Sequence, residues 1–422
     1  MVEVAFIGLG AMGLPMARRV AGGEGVALTL FDVRPDFLPL AAALGRPAAS
    51  VEDAVEAADV VLSVLPADPQ AIEVAAAVAR VGRHEQIYVD FSTISPETMA
   101  NVARDLAEVG VLAVSATCMK GVAAARGGEL SLFLGGSSQV VERLCPILGR
   151  IATEHRYVGD HAAAKTLKLV NNLIVSTLDL LLCEALLVGA RLGISAEHAV
   201  AEFRAGGADS WALQNHVVKH ALSGDFAPGN FSIKYMAKDV RLAVKVGQSV
   251  GRSTFFGGAV LSAYRGVTAH GYANHYHPVV LRWLEAGARS GDITAVTGDD
   301  DSQLVEPLVL GLVALQALVT LEALRVAEGV GLVPITAAGH LLEGSARNPF
   351  LDELVCGGLG GARLSLRVIL QHVEQACELA HEASVPAMSF ELGRHLALVM
   401  IDLWGEAACP ANLLGRERAR PA

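Results

Sequence analysis

Two polar side chains in the first half of the chain have the types and the spacing that carbonyl chemistry requires. Lys168 and Asn172 lie four residues apart at the start of a long apolar stretch, so a helix would project both from one face. A lysine ammonium can give a proton to an oxygen that gains charge as hydride arrives, and the asparagine amide can hold the substrate beside it. Spacing alone leaves an alternative, in which the helix simply exposes Lys165, Lys168 and two asparagines to water.

The source of the hydride is indicated at the start of the chain. The apolar run Val2–Ile7 predicts a buried strand, the glycines after it predict a tight turn, and residues 14–21 predict a helix. In such a turn, backbone N–H groups and the positive end of the helix dipole face a pyrophosphate, and glycine leaves room for it. We therefore predict that a dinucleotide is bound by four residues of the turn, Gly8, Gly10, Met12 and Gly13.

The second predicted strand indicates which dinucleotide this is. Val26–Phe31 is followed by Asp32, whose carboxylate can accept hydrogen bonds from the adenosine ribose and would repel a 2′-phosphate. The sequence therefore favours NAD. Arg34 follows two residues later and can pair with a phosphate, so NADP stays an alternative.

The alternation of apolar runs with helical stretches predicts an α/β Rossmann domain over residues 1–165, with a doubly wound, mostly parallel sheet. After residue 165 the strand signals stop. Apolar residues then recur at three- and four-residue spacing to the C-terminus, which predicts all-α domains. Beyond the first two, the predicted strands are residues 60–65, 87–91, 111–115 and 130–134.

Two pairs of similar segments in the helical part indicate an internal repeat. Residues 184–193 resemble 322–331, and residues 232–240 resemble 365–373. Two ordered matches at similar offsets predict a duplicated helical domain, with chance agreement of Ala/Leu-rich helices as the alternative. We expect a catalytic and substrate-binding domain over 166–296 and a degenerate repeat over 297–422. The polar segment 291–303, with aspartates at 299–301, is expected to be a linker or exposed loop.

Composition limits the classes of partner and location. The 422 residues are enough for two or three domains, and a net charge of −11 argues against a nucleic-acid groove. Six scattered cysteines without CxxC spacing predict reduced thiols and a cytoplasmic protein. The chain starts directly with a predicted strand, so no signal peptide is expected. The apolar tracts 173–188 and 308–319 contain polar residues, so no membrane span is expected either.

Five motifs occur in the order seen in β-hydroxyacid dehydrogenases: the glycine turn, the pair Leu65-Pro66, and the segments 90–94, 168–172 and 236–239. Over about residues 1–290 the chain resembles a 3-hydroxyisobutyrate dehydrogenase. The resemblance implies an NAD(P)-dependent oxidoreductase that transfers hydride to or from the hydroxyl-bearing carbon of a small hydroxyacid. It also implies roles for individual residues: Leu65, Pro66 and Thr93 line the dinucleotide, Lys168 is the catalytic lysine, Asn172 is its partner, and Lys238 approaches the cofactor.

One motif departs from the family pattern. Relatives carry a Ser-Gly-Gly turn that receives the substrate carboxylate, whereas this chain has Met119-Lys120-Gly121. Lys120 either replaces the serine as a cationic anchor or points outward as a surface lysine. The expected substrate-binding residues are Lys120, Gly121 and Asn172. Because the turn is altered, reduction of an imine or a semialdehyde is an alternative, and a non-catalytic dinucleotide-binding scaffold is another.

The second helical copy lacks the reacting groups. Its residues at the positions of Lys168, Asn172, Lys238 and Asp239 are Glu306, Leu310, Gln371 and His372. We therefore expect a structural copy, similar to the duplicated helical domain of 6-phosphogluconate dehydrogenases, that supplies within one chain a contact which two subunits of single-copy relatives make. Residues of this copy can still wall the substrate pocket, and a homodimer of whole chains stays an alternative.

Three further residues carry weaker signals. His275 and His277 have a spacing that metals sometimes use, but no third ligand is evident, and two histidines in a loop are usually polar surface. No metal is expected. Trp211 either shapes the substrate pocket or, as we favour, packs in the interior. The expected partner is a small-molecule substrate, with no nucleic acid and no membrane.

Overall fold

The computed structural model describes residues 1–227, 231–298, 302–357 and 364–415. Contacts divide the chain into two compact units, Met1–Leu169 and Val170–Ala422. Apart from residues 166–169, which belong to the first unit, both predicted helical domains lie in the second unit. The aspartates 299–301 lie outside the described residues.

The first unit contains one eight-stranded sheet of order β3-β2-β1-β4-β5-β6-β7-β8. Its strands β1 to β8 are Val2–Ile7, Val26–Phe31, Arg46–Pro47, Val60–Ser63, Ile87–Asp90, Leu112–Cys118, Leu130–Gly136 and Ala152–Gly159. All neighbouring pairs are parallel except β6 and β7. The Rossmann prediction is confirmed, with an antiparallel step at β6–β7. Their connection holds only a short helix, and a parallel crossover usually needs a dozen or more residues.

Helices cover the sheet because its inner strands are apolar on both faces. Along β1, Val4 and Phe6 belong to one buried cluster and Ala5 and Ile7 to the other. The helices of this unit, α1 to α7, are Gly13–Ala21, Leu38–Ala42, Val51–Val55, Asp68–Val81, Pro96–Glu108, Val122–Gly127 and Ser138–Leu148, with a 3-10 turn at Pro35–Phe37. Sequence reasoning missed β3, which has two residues, and β8, whose residues are largely exposed and polar.

The rest of the described chain is helical. Helices α8 to α17 are His161–Arg191, Ala196–Ala205, Ile233–Ser249, Phe255–Val267, Val280–Ala288, Ser302–Gly329, Pro334–Leu342, Pro349–Gly357, Leu366–Glu382 and Met388–Trp404. Two π-helical segments, Leu213–Ala221 and Thr268–Tyr272, and short 3-10 helices at His277–Val279, Ile293–Ala295 and Pro410–Leu413 complete the set. Both α8 and α13 are long and apolar enough to cross a membrane, but 94% and 72% of their most apolar windows are buried, as expected of core helices.

The order of helices repeats within the second unit. The helices α10 and α16 both have 17 residues, and each begins directly after a serine, Ser232 or Ser365. Helix α10 begins at 233 and α11 at 255, while α16 begins at 366 and α17 at 388, so both pairs have the same spacing of 22 residues. This agreement supports the predicted duplication.

Two buried glutamates at matching positions connect the two helical segments, which are the predicted repeats 166–296 and 297–422. Glu184 of α8 accepts the N–H of Ser389 at the start of α17, at 3.0 Å. Glu322 of α13 accepts the N–H groups of Phe256 and Gly257 at the start of α11, at 3.0 and 3.1 Å. Burial raises the pKa of Glu184 to about 8 and that of Glu322 to about 7, although the backbone N–H donors oppose the shift. Each long helix thus caps a helix of the other segment.

Candidate active site

Two glycines of the glycine turn are required by packing within the protein, whereas the third lies next to open space. Gly8 has a φ of +92°, and a side chain there would collide with the carbonyl oxygen of Val64. Gly13 packs against the Gly8 carbonyl, so a side chain would collide there too. A Cβ on Gly10, in contrast, would find its nearest neighbour, an Arg34 nitrogen, 3.9 Å away. Packing therefore does not require glycine at position 10. The open space above Gly10 and the start of α1, which no side chain caps, would fit a bound pyrophosphate.

Asp32 holds the turn from the end of β2. Its Oδ2 accepts the N–H of Leu9 at 2.7 Å, and its Oδ1 accepts the backbone N–H and the Nε of Arg34 at 2.9 and 3.2 Å. The Arg34 guanidinium lies 4.0 Å from the centre of the Phe37 ring. A carboxylate suited to a ribose and a guanidinium suited to a 2′-phosphate therefore stand side by side.

The other predicted cofactor residues follow neighbouring parallel strands of the same sheet. Leu65 and the exposed Pro66 come after β4, and the half-buried Thr93 comes after β5. The N–H of Leu65 donates to Ser92 Oγ at 2.8 Å, which ties these two loops together. Since the carboxyl ends of parallel strands meet at one edge, these residues share the edge with the glycine turn, where dinucleotides bind in such folds.

A buried ion pair lies under this edge. The Lys165 ammonium contacts Asp90 Oδ1 at 2.7 Å and the backbone oxygens of Asp90, Ser92 and Ala116 at 2.9, 2.8 and 3.3 Å. Both side chains are almost fully buried. The alternative in which Lys165 faces water is therefore wrong. Sequence reasoning missed the pair, although an aspartate at the end of a buried strand was a usable signal.

Lys168 follows Lys165 by one helical turn and is half-buried. Burial raises the pKa of the Cys118 thiol to about 11, and the positive charges of Lys168 and Lys165 partly oppose this rise. Both ammonium groups are thus close enough to the end of β6 to act on Cys118. The same strand end leads into the altered turn, in which Met119 is buried, Lys120 is exposed, and Gly121 precedes α6 with open space around it.

In the second unit, the structure brings Asn172 and Lys238 together through Asp239. Asn172 donates from Nδ2 to Asp239 Oδ2 at 2.7 Å, and the Lys238 ammonium lies 3.1 Å from Asp239 Oδ1. Asn171 donates to Asn172 Oδ1 at 3.1 Å and to Ser345 Oγ at 2.9 Å. Asp239 and Ser345 are functional candidates that sequence reasoning missed. The motif around Lys238 contained the first, whereas Ser345 carried no sequence signal.

The expectation that His275 and His277 form a polar surface is wrong for His277, which is buried. Its Nδ1 lies 2.8 Å from Asp179 Oδ2, and the Nδ1 of His216 lies 2.9 Å from Asp179 Oδ1. Burial by itself would raise the pKa of Asp179, but the two imidazoles hold it at about 2. Burial lowers the pKa of His277 to about 4. Trp211 is half-buried and meets the His216 ring edge-on, at 4.8 Å between centroids.

Comparisons with known proteins agree with this architecture. Residues 3–159 match the family described as the NAD binding domain of 6-phosphogluconate dehydrogenase, and residues 162–284 match that described as NAD-binding of NADP-dependent 3-hydroxyisobutyrate dehydrogenase. An NAD-dependent L-serine dehydrogenase from Pseudomonas aeruginosa is 30% identical over 295 residues, which cover 68% of this chain and 98% of the relative.

Two solved structures are informative about different parts of the chain. A 3-hydroxyisobutyrate dehydrogenase from Mycobacterium tuberculosis, solved with L-serine, is 28% identical, with a TM-score of 0.64 over 67% of this chain and 99% of its own. A Plasmodium falciparum 6-phosphogluconate dehydrogenase is 15% identical, with a TM-score of 0.68 over 98% of this chain and 94% of its own. The second similarity extends the shared fold to the C-terminal helices.

Proposed function

The chain belongs to the β-hydroxyacid dehydrogenase family, and from this premise we propose a reaction and assign residues to it. The protein is an NAD(P)-dependent oxidoreductase acting on a hydroxyl-bearing carbon, and we propose a small hydroxyacid as its substrate. A bound dinucleotide would supply or accept the hydride through its nicotinamide. The turn containing Gly8, Gly10, Met12 and Gly13, together with Asp32, Leu65, Pro66, Thr93 and Lys238, would hold it.

Lys168 is the proposed proton donor in reduction and proton acceptor in oxidation. The observation that carries this assignment is the burial of Lys165, whose ammonium is taken up by Asp90 and three carbonyl oxygens. Of the two lysines at the start of α8, only Lys168 is sufficiently exposed to meet a substrate. A correctly positioned proton transfer contributes roughly 10²- to 10⁴-fold in rate.

Asn172 is proposed to orient the substrate oxygen. Its amide is fixed on both sides, since Nδ2 donates to Asp239 and Oδ1 accepts from Asn171. An asparagine amide has two N–H donors, so a second donor remains for a substrate oxygen. Asp239 acts here as a positioning residue.

The experiment is turnover of short hydroxyacids and sugar acids with NAD and NADP by wild type and Lys168→Ala. We expect Lys168→Ala to lower kcat at least about 100-fold while NADH binding is nearly unchanged. Lys245→Ala, which removes an exposed lysine of α10, serves as the matched control. Unchanged turnover in Lys168→Ala would contradict the assignment.

The substrate class rests on Lys120. An exposed ammonium beside Gly121 suits a carboxylate or phosphate, in place of the serine hydroxyl of relatives. If Lys120 is that anchor, Lys120→Ala raises KM for hydroxyacids with little change in kcat, because the contact serves binding and not the reacting carbon. Equal KM values would identify Lys120 as a surface residue. Imines and semialdehydes belong in the same panel, because they test the alternative substrates.

We also propose a cytoplasmic protein in which the second helical segment replaces a subunit contact. Six free thiols support the location, and the reciprocal contacts of Glu184 and Glu322 support the replacement. Sedimentation equilibrium tests the second point. A measured mass equal to that of one chain supports the replacement of the subunit contact. A mass equal to that of two chains means that the chains associate through another surface.

A further inference from the structure

Three buried ionisable side chains in the helical unit have no part in the proposed hydride transfer. Asp179 lies within α8, His216 lies in the π-helical segment Leu213–Ala221, and His277 begins a 3-10 helix. They are 0%, 4% and 1% exposed. We propose that Asp179, His216 and His277 bind one divalent transition metal ion, with zinc as the best fit.

The donor atoms converge as a set of metal ligands does. The Nδ1 of His216 lies 2.9 and 3.1 Å from the two carboxylate oxygens of Asp179, and the Nδ1 of His277 lies 2.8 Å from Oδ2. One donor atom from each residue lies within 4.8 Å of the other two. Zinc binds imidazole nitrogen and carboxylate oxygen at about 2.0–2.2 Å, so the three fit around a single ion after small side-chain adjustments.

The orientation of His277 favours a shared ion over a simple hydrogen bond. Its Nδ1 lies 2.8 Å from Asp179 Oδ2, but the contact has poor hydrogen-bond geometry, and Nδ1 has no other polar partner among the described residues. Buried polar atoms in proteins are nearly always well paired. A metal ion bound by both atoms would give His277 a better partner than this contact.

The ligand types suit metal binding. Two imidazoles with one carboxylate are a common zinc ligand set.

Two nearby groups can complete the coordination shell. Cys183 lies one helical turn after Asp179 on α8, and the Tyr264 hydroxyl is buried without a hydrogen-bond partner among the described residues. Burial, and then the charge of Asp179, raise the pKa of both groups, which indicates that both are near the carboxylate. A thiolate, a phenolate or a water molecule would each give a different cobalt spectrum.

The test is equilibrium dialysis of the full chain against buffered free Zn²⁺ or Co²⁺, with metal measured by mass spectrometry. We expect one equivalent in wild type, and an affinity at least about tenfold lower in Asp179→Asn and His277→Gln. His270→Gln, which changes an exposed histidine, should bind as wild type does. Saturating zinc should raise the Tm of wild type by roughly 5–10 °C.

Two results would overturn the proposal. One is a wild-type protein that takes up no stoichiometric metal at saturating free Zn²⁺ or Co²⁺, which would leave a metal-free Asp–His cluster. The other is undiminished binding by folded variants, which would put the ion elsewhere. Because Asp179→Asn can fail to fold, the cobalt absorption of wild type provides a second measurement. Tetrahedral bands with imidazole ligands support the site, and a spectrum of octahedral hydrated cobalt contradicts it. None of these readouts depends on turnover.

Discussion

The buried ion pair of Asp90 and Lys165 allows a quantitative test of how the cofactor edge is held. The perturbation is Lys165→Met, which keeps most of the length of the side chain and removes its ammonium group. The ammonium joins the end of β5 to the start of α8 through one carboxylate and three carbonyl oxygens. We expect the substitution to destabilise the first unit and to weaken NADH binding, because Ser92, which contacts both Lys165 and Leu65, loses support.

The magnitude follows from the burial of both partners, whose side chains are 0% and 1% exposed. Removing one member of a buried pair leaves an uncompensated charge and costs about 3–5 kcal/mol. Asp90→Asn should cost a similar amount, because it leaves the ammonium with carbonyl oxygens alone. The double variant leaves no isolated charge. It should therefore be more stable than the sum of the single effects by about 2–3 kcal/mol.

The assay is urea unfolding of the whole chain, followed by far-UV circular dichroism and by tryptophan fluorescence. All three tryptophans, Trp211, Trp283 and Trp404, belong to the second unit, so their fluorescence follows that unit separately. Arg143→Met is the matched control. It breaks an exposed pair with Glu85, whose side chains are 48% and 58% exposed, and should cost at most about 1 kcal/mol. Additivity of the two single effects within about 0.5 kcal/mol would refute the reasoning.

Three further outcomes are expected. Gly10→Ala should leave the free energy of unfolding within about 1 kcal/mol of wild type but weaken NADH binding. Gly8→Ala should destabilise the protein, because the φ of Gly8 is +92° and the Val64 carbonyl fills the space a side chain would need. Equal thermal stability of the two variants would contradict this expectation. Arg34→Ala should raise KM for NADP at least about tenfold more than KM for NAD, as paired kinetic assays would reveal, since we propose that the guanidinium pairs with the 2′-phosphate. Glu322 holds its proton more tightly in the folded chain, with a pKa of about 7 against 4.5, so its stabilisation is present below pH 4.5 and lost as pH rises through 7. Wild type should therefore lose about 3 kcal/mol more of its free energy of unfolding than Glu322→Gln does between pH 5 and 9. A variant that is less stable than wild type at pH 9 would show that the backbone N–H donors stabilise the ionised carboxylate more than burial destabilises it.

The inner strands of the sheet could be predicted because their burial on both faces leaves near-continuous apolar runs. β1 and β2 have the predicted bounds, and β4 and β5 are shorter than predicted only at their ends. β8 could not be found in this way, because 154–156 are polar residues on an exposed strand. The antiparallel step at β6–β7 could not be read from periodicity either, since it depends on the length of the connection and not on which residues are apolar.

The site residues that local motifs specify differ in kind from those that only tertiary packing specifies. Gly8 could be found because its backbone geometry and the space around it require glycine, and Gly10 because a pyrophosphate would need the open space above it. The partners Asp90 and Lys165 lie 75 residues apart, and nothing in a linear spacing of that size favours an ion pair. The same holds for Asn171 and Ser345, which are 174 residues apart. Such contacts depend on which strand ends and helix starts the topology brings together.

The second helical segment, which sequence reasoning predicts to be a repeat of the first, keeps residues that make structural contacts. At the positions of Lys168 and Asn172 it has Glu306 and Leu310, so it lacks the two side chains that we propose to act on the substrate. At the position of Glu184 it has Glu322, and each of these carboxylates accepts backbone N–H groups at the start of a helix in the opposite segment. Loss of either glutamate would leave helix N–H groups buried without acceptors. We therefore propose that the segment serves the site indirectly, by packing. The hydrogen bond between its Ser345 and Asn171 connects this packing to the residue next to Asn172.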